Sequence, residues 1–312
     1  MRSRSLNLSS DVAQGSRLKA LGKDTPRHPS RTTTHVIFAK QTAFSLEPPA
    51  FSPPRTLKLT IAYDGTRYAG WQVQKGSDKR QATSNTKPTI QGTLERVFQR
   101  ILQESVKVIG SGRTDAGVHA QAQVAHVKIQ STIPRERLLR SLNQLLPPDI
   151  AITKIEEAPA PFHARFDVSG KRYRYRIFTG TVVPPFVRPY VYHVRTRLNV
   201  SLIRREAMCL RGRHNFRAFA RTGGPSRTTV RAITDIRILQ RRDEMQIEVA
   251  STGFLHTMVR SIVGTLLDIG RGHLSPGTIH RMLRSGNRQL AGTTAPASGL
   301  TLVSVEYRRT DG

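Results

Sequence analysis

Arg172-Tyr173-Arg174-Tyr175-Arg176-Ile177-Phe178 alternates without a break. In an extended chain Tyr173, Tyr175 and Ile177 fall on one face and the three arginines on the other, because successive strand side chains point to opposite sides. The stretch predicts a strand with an apolar face against a core and a cationic face turned away from it. The same period of two runs through Leu57-Lys58-Leu59-Thr60-Ile61-Ala62-Tyr63,. Further strands are expected at 107–109, 121–129, 150–155 and 300–307, with a hairpin from 233–239 and 245–250. Between them the period becomes helical. Leu94, Val97, Phe98, Ile101 and Leu102 form one such stripe; Leu138, Leu139, Leu142 and Leu145, after Pro134, form another. Residues 202–210 and 254–269 also read as helices. A last helix opens at Ser275-Pro276 and stops at Gly286,. This order predicts an α+β protein with helices packed outside mixed or antiparallel sheets. Two lobes are expected, 56–159 and 160–309.

Residues 1–55 differ from the rest. They are rich in Ser, Thr, Arg and Pro, lack a sustained period, and close on Pro48, Pro49, Pro53 and Pro54. They read as a disordered basic extension ending in a stiff linker. An Arg- and Ser-rich start also suits an organellar transit peptide, although Asp11 and Asp24 and the lack of an amphipathic helix argue against one,. Residues 75–87 are charged, aperiodic and expected to form a loop.

The 312 residues carry 50 Lys and Arg against 21 Asp and Glu, a net charge of +29. The first 55 residues hold nine Lys/Arg and three Asp/Glu, so the remainder is itself basic. Such an excess attracts polyanions, nucleic acid first, with an anionic membrane surface as the rival. No run approaches the roughly 18 apolar residues of a membrane span. The single cysteine, Cys209, excludes an internal disulfide and suits a reducing compartment,. It is expected in the core, on an apolar helical face. His119, His163 and His256 match no common metal spacing and read as structural,.

The segment richest in chemistry is Gly110-Ser111-Gly112-Arg113-Thr114-Asp115-Ala116-Gly117-Val118-His119. Its glycines permit tight turns that present Arg113 and Asp115 at a loop tip. Composition alone also allows an Asp that merely caps a turn beside a solvated Arg. The spacing is not that of a phosphate-binding loop, and no Gly-x-Gly-x-x-Gly opens a helix.

The segment nevertheless resembles the signature of TruA-type tRNA pseudouridine synthases, and four more blocks, one before it and three after, stand in family order. These are Tyr63-Asp64-Gly65 to Gly70-Trp71-Gln72, Phe162-His163-Ala164-Arg165 with Arg172-Tyr173-Arg174-Tyr175, Gly253-Phe254-Leu255 to Ile262-Val263-Gly264, and Ala295-Pro296-Ala297-Ser298-Gly299-Leu300. The extension and the 75–87 insertion depart from the family pattern. The resemblance implies a pseudouridine synthase fold with a basic central cleft, an isomerase without cofactor or metal, and tRNA as substrate. It implies uridines of the anticodon stem-loop (positions 38, 39 and 40), a homodimer and a cytoplasmic location, or a mitochondrion or plastid if the extension is a transit peptide.

Residue by residue, the resemblance implies that Asp115 is catalytic. It would attack ribose or base, or abstract a ribose proton; the sequence fits either. Tyr173 would stack on the flipped uracil, and Leu300 would pack against that base from the opposite side. Arg260, charged on an apolar helix, would pair with Asp115. Arg113 would contact phosphate or hold the target out of its stack.

Overall fold

The structure, a computed structural model, describes residues 53–73, 87–159, 161–221 and 228–308. The extension up to residue 52 and all but Lys87 of the expected 75–87 loop lie outside the described residues.

The chain runs through β1 (Arg55–Tyr63), α1 (Ile90–Leu102), β2 (Ile109–Gly110), β3 (His119–Ile129), α2 (Arg135–Leu145), β4 (Ile150–Glu157) and β5 (Val168–Phe178). It continues through β6 (Tyr192–His193), α3 (Val200–Met208), β7 (Gly212–Asn215), β8 (Val230–Arg241), β9 (Glu244–Ser251), α4 (Met258–Gly270), α5 (Thr278–Ser285) and β10 (Leu300–Tyr307). The fold is α+β. Its strands form one ten-stranded sheet in the order β4-β1-β3-β10-β5-β9-β8-β7, with β2 added to β3 and β6 to β5. The strands of 56–159 and those of 160–309 are thus joined edge to edge. The junction is a short parallel pairing of β10 with β3, Thr301 opposite His119 and Leu302 opposite Ala120. Apart from it and the β5–β6 pair, the pairings are antiparallel.

Alternation explains the core. Leu57, Leu59 and Ile61 are fully buried, as are Tyr175 and Ile177. Together with Ile90, Leu94 and Phe98 of α1 and Leu138 and Leu142 of α2 they join one contiguous core. Burying each such side chain stabilises by roughly 1.5–3 kcal/mol. On the other face of β5, Arg172 pairs with Asp235 (3.0 Å), Arg174 with Glu248 (2.7 Å) and Arg176 with Glu244 (2.8 Å). Carboxylates of β8 and β9 therefore neutralise the arginine face.

Several expectations shift. Cys209 is exposed rather than in the core. The inward stripe of α3 is Ile203, Glu206 and Ala207, and Cys209 follows the last helical residue. Leu145 points out of the α2 stripe and is also exposed. The helix expected from 254 begins at Met258, because Thr257 adopts φ 60°, left-handed backbone that a helix cannot contain,. The last helix is capped by Gly277 at φ 79°, not by Ser275. The first strand reaches back to Arg55, inside the stretch read as extension. Among the described residues no helix is long and apolar enough to cross a membrane.

Candidate active site

The loop between β2 and β3 is held from beneath by four neighbours. Tyr63, the last residue of β1, shares a 2.9 Å hydroxyl–hydroxyl hydrogen bond with Thr114. Burial pushes the Tyr63 phenol up to about 12, so it stays protonated. The Trp71 amide donates to the Thr114 carbonyl (3.1 Å). Gln123 of β3 accepts from the Ser111 hydroxyl (2.7 Å) and donates to the Gly112 carbonyl (3.1 Å). Lys171 of β5 donates to the Ser111 carbonyl (2.7 Å). Gly70 has φ 99°, and a Cβ there would lie 2.6 Å from the Thr114 carbonyl oxygen. Only glycine lets the two loops approach so closely.

Asp115 sits at the crest, its side chain 22% exposed. Arg260 reaches it from α4. Twelve of the thirteen α4 residues are buried; Arg260 is the exception. Its Nη1 donates to Asp115 Oδ2 at 3.0 Å and its Nε to the Ala295 carbonyl at 2.7 Å. A guanidinium forked between a carboxylate and a carbonyl is fixed in plane by two charge-assisted hydrogen bonds. His256 Nε2 lies 3.3 Å from the other oxygen, Oδ1.

Tyr173 is buried on the core face of β5, its ring edge-on to Phe254 at 5.0 Å. Burial first, then the nearby Tyr63 and Asp115, raise its pKa, so it is present as a neutral phenol. Leu300 stands opposite Tyr175 across the β10–β5 pair, whereas Leu302 stands opposite Tyr173. Both leucines are buried, and Leu300 is two residue pairs displaced from Tyr173 along the ladder. The Tyr175 hydroxyl donates to the Pro296 carbonyl (2.7 Å), tying the turn before Leu300 to β5. Arg113 is exposed and makes no hydrogen bond or ion pair among the described residues.

The structure thus brings Asp115 and Arg260 into contact, sets Tyr173 nearby, and leaves Arg113 as an unpaired cation at the rim. His256, Lys171 and Gln123 escaped the sequence reading as site neighbours. Lys171 precedes the strict alternation by one residue, and His256 lies four residues before Arg260; neither pattern by itself points at Asp115. Downstream of Asp115, His119 opens β3. Its Nδ1 accepts from the Gly65 amide (3.1 Å) and lies 3.1 Å from Asp64 Oδ1. Asp64 Oδ2 accepts from the Tyr190 hydroxyl (2.9 Å). Burial lowers the His119 pKa, against the pull of Asp64, so the imidazole is favoured in its neutral form.

A carboxylate on a glycine-flanked loop, gripped by one arginine and beside a neutral phenol, suits nucleophilic or proton-abstracting chemistry at a sugar or base. The family described as tRNA pseudouridine synthase matches residues 59–167 and 207–308. The chain belongs to that family. A tRNA pseudouridine synthase A 2 of Clostridium tetani is 45% identical over 253 residues, covering 81% of this chain and 99% of its own. The tRNA pseudouridine synthase A of Ruminiclostridium cellulolyticum is 43% identical over 254 residues, 81% of this chain and 100% of its own. That of Geobacter sulfurreducens is 40% identical over 253 residues. Among solved structures, a Cbf5–Nop10–Gar1 complex is 12% identical and covers 78% of this chain, with a TM-score of 0.30. The pseudouridine synthase family defines the chemistry as isomerisation.

Proposed function

We propose that this protein converts uridine to pseudouridine in the anticodon stem-loop of tRNA, at positions 38, 39 and 40, acting as a cytoplasmic homodimer. The observation that carries the reading is the Asp115–Arg260 pair on the signature loop, 3.0 Å apart, with Tyr173 beside it. The reaction breaks the N1–C1′ bond, turns the uracil and joins C5 to C1′. N1 ends with a proton and C5 loses one, so atoms and electrons balance without a redox partner. Asp115 supplies the negative group, either as nucleophile or as base for a ribose proton. Arg260 orients it through the 3.0 Å hydrogen bond to Oδ2. Because the uracil is retained, no second carboxylate is needed to activate water, unlike in most glycosidases.

Tyr173, as a neutral phenol, offers a ring for the turned base and a hydroxyl for proton movement at C5; Leu300 lends apolar packing two pairs further along the strand. Arg113, unpaired, serves the phosphate backbone or the space left by the flipped nucleotide. A uridine within a stem is reachable only after flipping, and shape guides docking.

Release of tritium from tRNA labelled at uracil C5 tests the chemistry, and mapping of pseudouridine in the product tests the positions. Wild-type protein is expected to release tritium and to modify 38–40. Free uracil as product indicates a hydrolytic nucleosidase instead. Light scattering of the purified protein tests the dimer.

A further inference from the structure

A turn outside the site described above carries an unusual side chain. Phe166 is 74% exposed. Its ring stacks on His163 (centroids 4.1 Å, planes 25°). The turn is locked by its own hydrogen bonds. His163 Nδ1 accepts from the amides of Arg165 (3.1 Å) and Phe166 (3.3 Å), and the His163 amide donates to Asp167 Oδ2 (2.6 Å). The Arg165 guanidinium lies 5.9 Å from the Phe166 ring centroid.

The turn is docked at the root of the catalytic loop. The His163 ring meets His126 edge-on at 4.8 Å, and the Ala164 amide donates to His126 Nδ1 (3.1 Å). From the other side, the Tyr307 hydroxyl donates to the Ala164 carbonyl (2.8 Å). His126 is the register partner of Ile109, and the next residue, Gly110, begins the segment that leads to Asp115. Lys171, whose Nζ grips the Ser111 carbonyl, lies within electrostatic reach of Arg165. Neither cation has a carboxylate within ion-pair distance among the described residues.

We infer that Phe166, Arg165 and Lys171 form a nucleotide subsite beside the catalytic loop, in which Phe166 stacks an unpaired base next to the target and the two cations hold its phosphate. The inference rests on the RNA-modifying function proposed above. A single exposed ring, rigidly mounted and flanked by uncompensated cations, fits a base and its phosphate. An apolar protein patch would call for contiguous exposed hydrophobic residues, and the exposed residues on either side of Phe166, Arg165 and Asp167, are charged. Stacking tolerates any base, since each has a π-face.

The test uses the full chain with Phe166→Ala, Phe166→Leu and Phe166→Trp, each checked by thermal melting. Pseudouridine formation in a tRNA transcript is followed for KM and kcat separately. Ala and Leu are expected to raise KM about 5- to 150-fold with kcat little changed, while Trp keeps the wild-type KM. The sole native tryptophan, Trp71, is buried. The new indole of Phe166→Trp therefore reports directly: its fluorescence should be quenched by the transcript and by single-stranded oligouridylate, and not by a fully paired RNA duplex. A wild-type KM for Ala overturns the inference, as does a Leu variant equal to Trp, which indicates apolar contact rather than stacking. A changed mass of Phe166→Ala in light scattering also overturns it, assigning the ring to contact between copies. If the wild-type protein makes no pseudouridine, the proposed function fails; quenching of Phe166→Trp then still decides whether the turn binds a base.

Discussion

At the scale of single residues, the proposed reaction turns on the ion pair between Asp115 and Arg260. Asp115→Asn keeps the side-chain shape but removes its charge and nucleophilicity. Turnover is expected to fall below about one-thousandth of wild type, with tRNA affinity retained, since phosphate contacts come from cations. Single-turnover assays beside binding titrations check this, and wild-type turnover in the folded variant would reduce Asp115 to a turn cap. Arg260→Lys tests the fork. A single ammonium cannot reproduce both the Nε contact to Ala295 and the Nη1 contact to Asp115,. A loss of at least about tenfold in kcat is expected, and equal kcat would show that a point charge suffices. Lys171 adds a pH signature. Burial, helped by Arg165, lowers its pKa from 10.5 to about 8. Between those values the unfolded chain binds the extra proton, so this group's contribution to stability rises with pH from about 8 to 10.5. Over the same range the folded protein loses a cation beside the loop, so tRNA affinity should fall. Lys171→Arg should flatten that alkaline limb; an unchanged limb would assign it to another group.

At the scale of elements, α4 is the part that aims Arg260. It is buried on every side but one, and it can sit that deep because Gly264 lets the chain at 293–295 run against it. A Cβ on Gly264 would lie 1.6 Å from the Thr293 carbonyl oxygen. The displaced strip includes Ala295, whose carbonyl accepts from Arg260. Gly264→Ala should therefore destabilise by more than about 2 kcal/mol and lower kcat along with it. Melting temperature and turnover measured together check the coupling; lost stability with unaltered kcat would show that α4 moves as a rigid piece. The β2–β3 loop is buttressed in the same manner by Gly70 and Tyr63. Here a residue of β1 and a glycine forty-five positions upstream set the height of Asp115.

At the scale of the whole molecule, charge and buried histidines govern the response to solution conditions. The basic described region should bind tRNA with a steep salt dependence through counterion release. Neutralising about six phosphates would weaken binding on the order of a thousandfold between roughly 50 and 200 mM salt. A flat curve in filter binding would remove the electrostatic footing of the proposed function. Stability should in turn fall in acid. Burial, then His163 and Lys128, lower His126 from 6.5 to about 4. Burial lowers His119 as well. The unfolded chain takes up these protons first, so stability present above about 6.5 is lost as pH falls towards 4. His126→Gln should lessen that loss in thermal melts taken across this range; an identical acid limb would place its origin in the carboxylates instead.

Much of this was legible in the residues alone. Alternation and helical spacing are local properties, imposed by where consecutive side chains point. They announce β1, β5 and the buried faces of α1 and α2 before any contact is known. The Gly110–His119 segment and its companion blocks likewise carry the family in their order. What local pattern cannot contain is which carboxylate answers which cation. The arginine face of β5 reads as free charge until Glu244, Glu248 and Asp235 arrive from β8 and β9. Helix starts also shifted, because a left-handed Thr257 and Gly277 answer to loop geometry rather than to period. Cys209 passed from core to surface once the α3 stripe was set by what it packs against. Most of all, Asp115 and Arg260 stand 145 positions apart. Only the parallel joining of β10 to β3, which merges two sets of strands into one sheet, brings α4 up to the loop and closes that distance to a hydrogen bond.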